Sequence, residues 1–196
     1  MIQTRMVLLV GLVFLAALSR LLPHPPNFAP VCAIALFGGA MFARKRWAFI
    51  VPALAMLLSD VILYRGTYAA WSEDFLTTSL PNYVAFLMIV FIGLWLRKRR
   101  SVANIFATTL SGSVLFFLVS NLGVWLSGWY PMDFAGLVEC YWMGIQFYQR
   151  NFGSPLLNTI LGDAVYATVL FGSYAFAERC LPTLQLQAEH VLTPAD

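Results

Sequence analysis

The sequence predicts an all-α integral membrane protein: six transmembrane helices plus a short interfacial or re-entrant helix on the outer side. Three observations carry that prediction. The 196 residues are 60% hydrophobic and only 11% charged, with a mean hydropathy of +0.76, whereas soluble domains carry roughly 25% charge. Apolar runs of about 17–25 residues recur, the length that crosses a hydrocarbon core. The basic clusters Arg44-Lys45-Arg46 and Arg97-Lys98-Arg99-Arg100 fall in short connections between those runs, and such loops mark the cytoplasmic side. The net charge of +3 therefore reports on topology, and nucleic acid is not an expected partner.

The spans are predicted at about 5–22, 29–43, 47–64, 81–97, 102–127 and 155–178. The first follows Arg5 and ends near Ala17-Leu18-Ser19, which also reads as a signal peptide with a small-residue cleavage site. Its continuation through Arg20, with prolines immediately after, favours a retained helix. Next comes Arg20-Leu-Leu-Pro-His-Pro-Pro-Asn-Phe-Ala-Pro30, with four prolines in a short stretch. Proline fixes φ, lacks an N–H and biases its predecessor away from the helix, so His24-Pro-Pro is a stiff, extended connector. It is either a lid carrying imidazole and amide groups or a helix break ahead of a proline-started helix. The second span has small residues at Ala35, Gly39 and Ala43, a seam that permits close helix approach.

Spans three to five alternate around the two basic clusters. Segment 137–150 is shorter and more polar, with Glu139, Gln146 and Gln149. Its aromatic residues (Tyr141, Trp142, Phe147, Tyr148) suit the headgroup layer. A seventh span here would put the C-terminus outside. With both basic clusters inside, both termini are cytoplasmic, in agreement with Arg5 and Arg179. The outward connections are then 23–28, 65–80 and 128–154. Residues 1–180 read as one transmembrane domain and 181–196 as a short polar cytoplasmic tail. No internal repeat supports an inverted-repeat transporter.

This topology gathers the polar residues at one depth. Arg20, His24, Asn27, Asp60, Asn82, Asn121, Asn158 and Asp163 all fall in the outer half or at the outer boundary. The inner half offers hydroxyls such as Thr108 and Ser111, which can bond their own helix carbonyls. A carboxylate inside a span costs several kcal/mol unless paired, protonated or facing water. Asp163 is the clearest case, preceded by Gly162, with Asn158 and Tyr166 on the same helix. It is either a ligand partner or an interhelical hydrogen bond. Arg20 lies on the side that the positive-inside bias disfavours; pairing with Asp60 or Asp163 accommodates it best, beside headgroup snorkelling or an anionic ligand. Trp125, Trp129 and Tyr130 fit a cavity lining or an interfacial belt.

Several chemistries lack their motifs. There is no Walker-type phosphate loop, no H-E-x-x-H, no haem-attachment Cys pair and no G-x-S-x-G. Cys32, Cys140 and Cys180 have no metal-ligand spacing and read as small packing residues. No enzyme, metal or catalytic residue is expected, and no cofactor is identified.

The combination of Arg20–Pro30, Ala35-Leu-Phe-Gly-Gly-Ala40, Leu58-Ser-Asp60, Ser120-Asn-Leu-Gly-Val-Trp125, Leu161-Gly-Asp163 and Leu170-Phe-Gly172 resembles a bacterial family of uncharacterised six-helix membrane proteins described as candidate transport proteins. More distantly, the layout is similar to the S components of energy-coupling factor (ECF) vitamin transporters. Those small, ATPase-free proteins bind a vitamin or metal near the outer face, under the loop between their first two helices. They depend on a separate coupling protein and two ATPases. The resemblance implies a bacterial inner-membrane location, a lid at 23–30 above the polar layer, and an energising module or other membrane subunit as partner. One departure concerns docking: S components commonly carry Ala-x-x-x-Ala on the first helix, and Gly11, Ala16 and Ala17 lack that spacing.

The expected function is therefore membrane transport or solute binding, with a small polar or aromatic solute taken up from the outer face. Its binding residues would be His24, Asn27, Asp60, Asn82, Asn121, Trp125, Asn158, Asp163 and Tyr166. Asp163 would be the central partner, Asn121 and Asn158 would orient the solute, Trp125 would stack on it, and His24 and Asn27 would close the lid. The alternative is an accessory or assembly subunit of a larger membrane complex, with no ligand of its own. A third reading, an intramembrane enzyme using His24 and Asp163, lacks any assembled nucleophile and base.

Overall fold

Uninterrupted apolar runs become helices because a helix satisfies every backbone group within its own segment. The computed structural model describes residues 4–67, 73–146, 153–181 and 184, and among them it contains seven helices and no strand. They are α1 (Thr4–Ser19), α2 (Val31–Met41), α3 (Lys45–Thr67), α4 (Glu73–Leu96), α5 (Val102–Leu126), α6 (Phe134–Gln146) and α7 (Pro155–Cys180). Four stretches within them are long and apolar enough to cross a membrane: Lys45–Leu63, Ser79–Leu96, Val102–Leu126 and Pro155–Cys180. The apolar helices α1, α2 and α6 are shorter.

Local chemistry sets several boundaries. Ser101 Oγ accepts from the Asn104 N–H at 3.2 Å to open α5, and Asp133 Oδ1 accepts from the Gly136 N–H at 2.7 Å at the start of α6. Ser154 caps α7, whose first residue is Pro155, a position where the missing N–H costs nothing.

The structure changes the predicted spans in four places. The second run, expected over 29–43, is helical only over Val31–Met41, because Pro30 precedes it and Phe42 is extended. Its 11 residues reach about 16 Å, half of a ~30 Å hydrocarbon core. The first helix stops at Ser19 rather than residue 22, as the proline-rich stretch turns the chain. The connection expected over 65–80 is partly helical, since α3 continues to Thr67 and α4 begins at Glu73. The segment expected over 137–150 starts earlier, at Phe134; residues 147–150 lie outside the described ones. So do residues 68–72 and the tail expected over 181–196, apart from Leu181 and Leu184.

Helix α2 is the centre of the molecule. Every residue from Cys32 to Met41 is buried, and α2 packs against α1, α3, α4, α5 and α7, most extensively α4. Glycines make this possible. Gly39 of α2 meets Gly93 of α4 backbone to backbone, and Gly38 receives the ring of Pro52, the proline inside α3. The small-residue seam is thus real, but it runs through Gly38 and Gly39; Ala43, beyond the helix end, is exposed. Phe37 stacks edge-on against Phe171 of α7 at 5.1 Å. The surrounding helices present large apolar side chains outward: Leu15 is 67%, Phe91 62% and Phe176 70% exposed. Such a surface is suited to lipid rather than water.

Gly39→Val places a side chain on the Val90 carbonyl and the Gly93 backbone. It is expected to cost about 1–3 kcal/mol or more, read as a fall in melting temperature and in the yield of monodisperse protein. Gly11→Val, whose new Cβ would meet nothing within 4 Å, is expected to stay within about 0.5 kcal/mol. Equal behaviour of the two variants would show that the α2–α4 approach is not close-packed.

Candidate functional site

A short helix buried on all sides must find partners for its terminal backbone groups. Helix α2 lacks a side-chain cap of its own, because its N-cap is Pro30. Asp163 of α7 supplies the acceptor. Its Oδ1 accepts from the backbone N–H groups of Cys32 and Ala33 at 3.1 and 3.2 Å, and its Oδ2 accepts from Ser113 Oγ of α5 at 2.8 Å. The carboxylate is fully buried, with 0% exposure. It lies about 12 Å along α7 from Pro155, at ~1.5 Å per residue, so α2 begins well inside the bundle.

The other end of α2 is held by cations. Arg5 donates from Nη2 to the Met41 carbonyl at 2.6 Å and from Nε to Tyr174 Oη at 3.0 Å. Arg97 donates to the carbonyls of Ala43 at 3.0 Å and Gly39 at 3.1 Å. Burial, then the charges of Arg5 and Arg100, push the Arg97 guanidinium below its usual pKa. An acid at the positive end of α2 and guanidinium groups at its negative end both complement the helix dipole.

The proline-rich stretch closes over the acid end. Residues 23–25 have no regular structure, and the chain then turns: the Phe28 N–H donates to the Pro25 carbonyl at 3.0 Å, with Asn27 at φ 62°. Asn tolerates this left-handed conformation better than most residues. Asn158 donates from Nδ2 to the Pro26 carbonyl at 3.0 Å. Gly162 lets the loop backbone lie directly on α7, since a Cβ there would sit 3.1 Å from Phe28 Cα. Tyr166 Oη accepts from Ser19 Oγ at 3.0 Å, and its ring lies 6.1 Å from that of Phe28.

Beside this loop lies a cavity of about 670 Å³, walled by the loop itself and by α4, α5, α6 and α7. A second, of about 320 Å³, lies between α3, α4 and α5. Arg20 and Asn82 line both. Arg20 is fixed by Asp60 of α3: Nη1 to Oδ1 is 2.6 Å, with both side chains largely buried at 14% and 13% exposure. Tyr83 Oη donates to Asp60 Oδ2 at 2.5 Å, and Arg20 Nη1 also donates to Ser59 Oγ at 2.6 Å.

The nine sequence-predicted residues therefore separate. His24, Asn27, Asn82, Asn121 and Asp163 line the larger cavity, and Asp60 lines the smaller. Three others do not line either cavity. Trp125 donates its ring N–H to the Pro131 carbonyl at 2.9 Å, Asn158 holds the loop, and Tyr166 bonds Ser19. Asp163 reaches the cavity, yet its oxygens are engaged by α2 and α5, so the interhelical alternative is realised. Asn121 donates to its own Phe117 carbonyl at 2.8 Å, which leaves its amide oxygen facing Gly144.

Sequence reasoning passed over Ser113 and Tyr83. A mid-helix hydroxyl carries no distinguishing signal, and Ser111 and Thr108 do bond their own helix, at 2.8 Å to Ala107 and 2.6 Å to Asn104. Among the described residues no cluster of three or more His, Cys, Asp or Glu side chains could hold a metal. The arrangement offers a polar, partly aromatic cavity with one fixed guanidinium at its edge.

Residues 1–184 match the model of a family of unknown function, DUF6580, and the chain belongs to that family. No curated protein and no solved structure matches it.

Removing the Asp163 carboxylate strands two buried N–H groups and leaves the Ser113 hydroxyl only the Thr109 carbonyl of its own helix, 3.1 Å away. Asp163→Ala is expected to destabilise by about 3–5 kcal/mol, Asp163→Asn by less because one amide oxygen remains, and Ser113→Ala by about 1 kcal/mol. Thermal unfolding of the protein in lipid nanodiscs reads the order. An Asp163→Ala protein that melts like the parent would show that α2 does not need this cap.

Proposed function

We propose that this member of DUF6580 is a multi-pass transport or solute-binding protein of the bacterial inner membrane, similar in design to an S component. In this reading the chain crosses the membrane six times, α2 crossing together with the non-helical loop before it and the extended Phe42 after it. Both termini are cytoplasmic, and the proline-rich loop and α6 lie on the outer side. The clusters at 44–46 and 97–100 support that orientation: with Arg5 they share the end of the bundle where α2 terminates. That is the end which the positive-inside bias assigns to the cytoplasm.

One observation carries the functional part. A membrane-sized bundle with a close-packed centre keeps a cavity of about 670 Å³ at the end remote from its basic clusters. Pockets that take small molecules fall in the range of about 300–1,000 Å³, mostly apolar with a few placed polar groups. Phe116, Phe117 and Met143 supply the apolar wall, and Asn82, Asn121 and Tyr130 the polar groups. His24 and Asn27 sit on the loop at the rim, where a solute would enter. The solute is small and polar or aromatic, and energy for its movement comes from a partner module.

Native mass spectrometry of the protein purified in nanodiscs tests this. The expected result is a retained small molecule, reduced about tenfold by Asn121→Ala. The fold should survive that change, because the Asn121 side chain donates only within its own helix. A stoichiometric membrane partner with no retained solute would overturn the reading in favour of an accessory subunit.

A further inference from the structure

Arg20 is the one Lys or Arg among the described residues that line either cavity. Its polar contacts all run through a single nitrogen. Nη1 meets Asp60 Oδ1 at 2.6 Å, Ser59 Oγ at 2.6 Å and Met56 Sδ at 3.7 Å. Nε and Nη2 make no polar contact with the described residues, and neither is sealed in. Arg97 Nε is the buried side-chain nitrogen that lacks a partner among those residues.

The two idle nitrogens form one edge of the guanidinium. Their N–H bonds run parallel and match the two oxygens of a carboxylate. Asp60 does not compete for that edge, because its second oxygen is held by Tyr83 Oη at 2.5 Å. The ion pair therefore anchors the guanidinium through Nη1 and leaves its Nε–Nη2 edge without a polar contact among the described residues.

The charge balance narrows the ligand further. Asp60 already faces Arg20, and Asp163 lines the same larger cavity. With one cation against two carboxylates the wall carries no spare positive charge, so an anion would be held by the paired N–H groups rather than by net attraction, and a dianion is opposed more strongly than a monoanion. The amides of Asn82 and Asn121 and the rings of Phe116, Phe117 and Tyr130 would then receive an uncharged, aromatic or amide-bearing body.

We propose that Arg20 determines the specificity of the cavity by binding the carboxylate of a small monocarboxylate solute side-on through Nε and Nη2. This rests on the solute-binding reading and names its substrate class.

The test uses the full chain in lipid nanodiscs. Its melting temperature is followed with acetate, benzoate and phenylacetate, with the matched amides, and with inorganic phosphate. At least one carboxylate should raise the melting temperature, at a concentration about tenfold below that needed for its amide. Arg20→Lys should weaken that response about tenfold, since an ammonium cannot supply the parallel pair. The double variant Arg20→Gln with Asp60→Asn removes both charges together, so no carboxylate is left buried without its cation. It should melt near the parent and lose the carboxylate response.

Equal protection by carboxylate and amide, protection by phosphate as strong as by carboxylate, or a response intact in the double variant would overturn the proposal. So would a series in which no carboxylate protects. If native mass spectrometry then recovers a neutral solute, the solute-binding reading stands and only the Arg20 assignment falls. A protein that retains no solute of any charge overturns both.

Discussion

Both ends of α2 are buried, and the packing of the bundle is built around that fact. In a helix surrounded by other helices, free N–H and C=O groups cannot turn to water, and each one left unpaired costs several kcal/mol in an apolar setting. Asp163 from α7 answers at the first turn, and Arg5 from α1 and Arg97, just past the end of α4, answer at the last. Those contacts set how three peripheral helices sit against the central one. Ser113 brings in α5 through the second Asp163 oxygen. The Asp163 charge is thus structural before it is anything else, stabilised by two backbone donors, a hydroxyl and the positive end of a helix dipole.

The cavity follows from the same constraint. A central helix of 11 residues fills about half of the bundle's depth. The chain must travel the other half as the proline-rich loop, which has no regular bonding of its own. That loop lies on α7 because Gly162 leaves room for it and Asn158 binds it. The space beside it, bounded by α4, α5 and α6, is what a longer helix would have filled. Arg20 stands at the start of the loop, so the turn that ends α1 also delivers the cation to the cavity edge. Packing, loop course and the chemistry of the cavity wall therefore share one cause.

Much of this was legible residue by residue. Gly162 beside Asp163 signalled a close backbone approach. A cation and carboxylates at matching depths signalled an ion pair of Arg20 with Asp60 or Asp163, of which the first is formed, and inner hydroxyls such as Thr108 bond their own helix as expected. Other features were not legible. Trp125 has the ring expected of a stacking residue, yet its N–H is used by the Pro131 carbonyl, because the chain turns back after α5. Tyr166 and Asn158 have the right chemistry and depth, but their partners are Ser19 and the loop. The length of α2 was overestimated since hydropathy registers apolar residues and not where the helical hydrogen bonds stop.

Composition and period are enough for the class: a helical chain whose long apolar stretches suit a membrane, with basic clusters in short connections and most amides and carboxylates elsewhere. These are properties of composition and period, which each segment carries alone. What each polar side chain does emerges only when the helices pack. In an apolar interior a polar group must bond whichever partner is in reach. Reach is fixed by helix crossings that place residues 163 and 32, or 20 and 60, side by side. That is why Asp163 became the cap of α2, while Arg20 came to pair with Asp60 at the cavity edge.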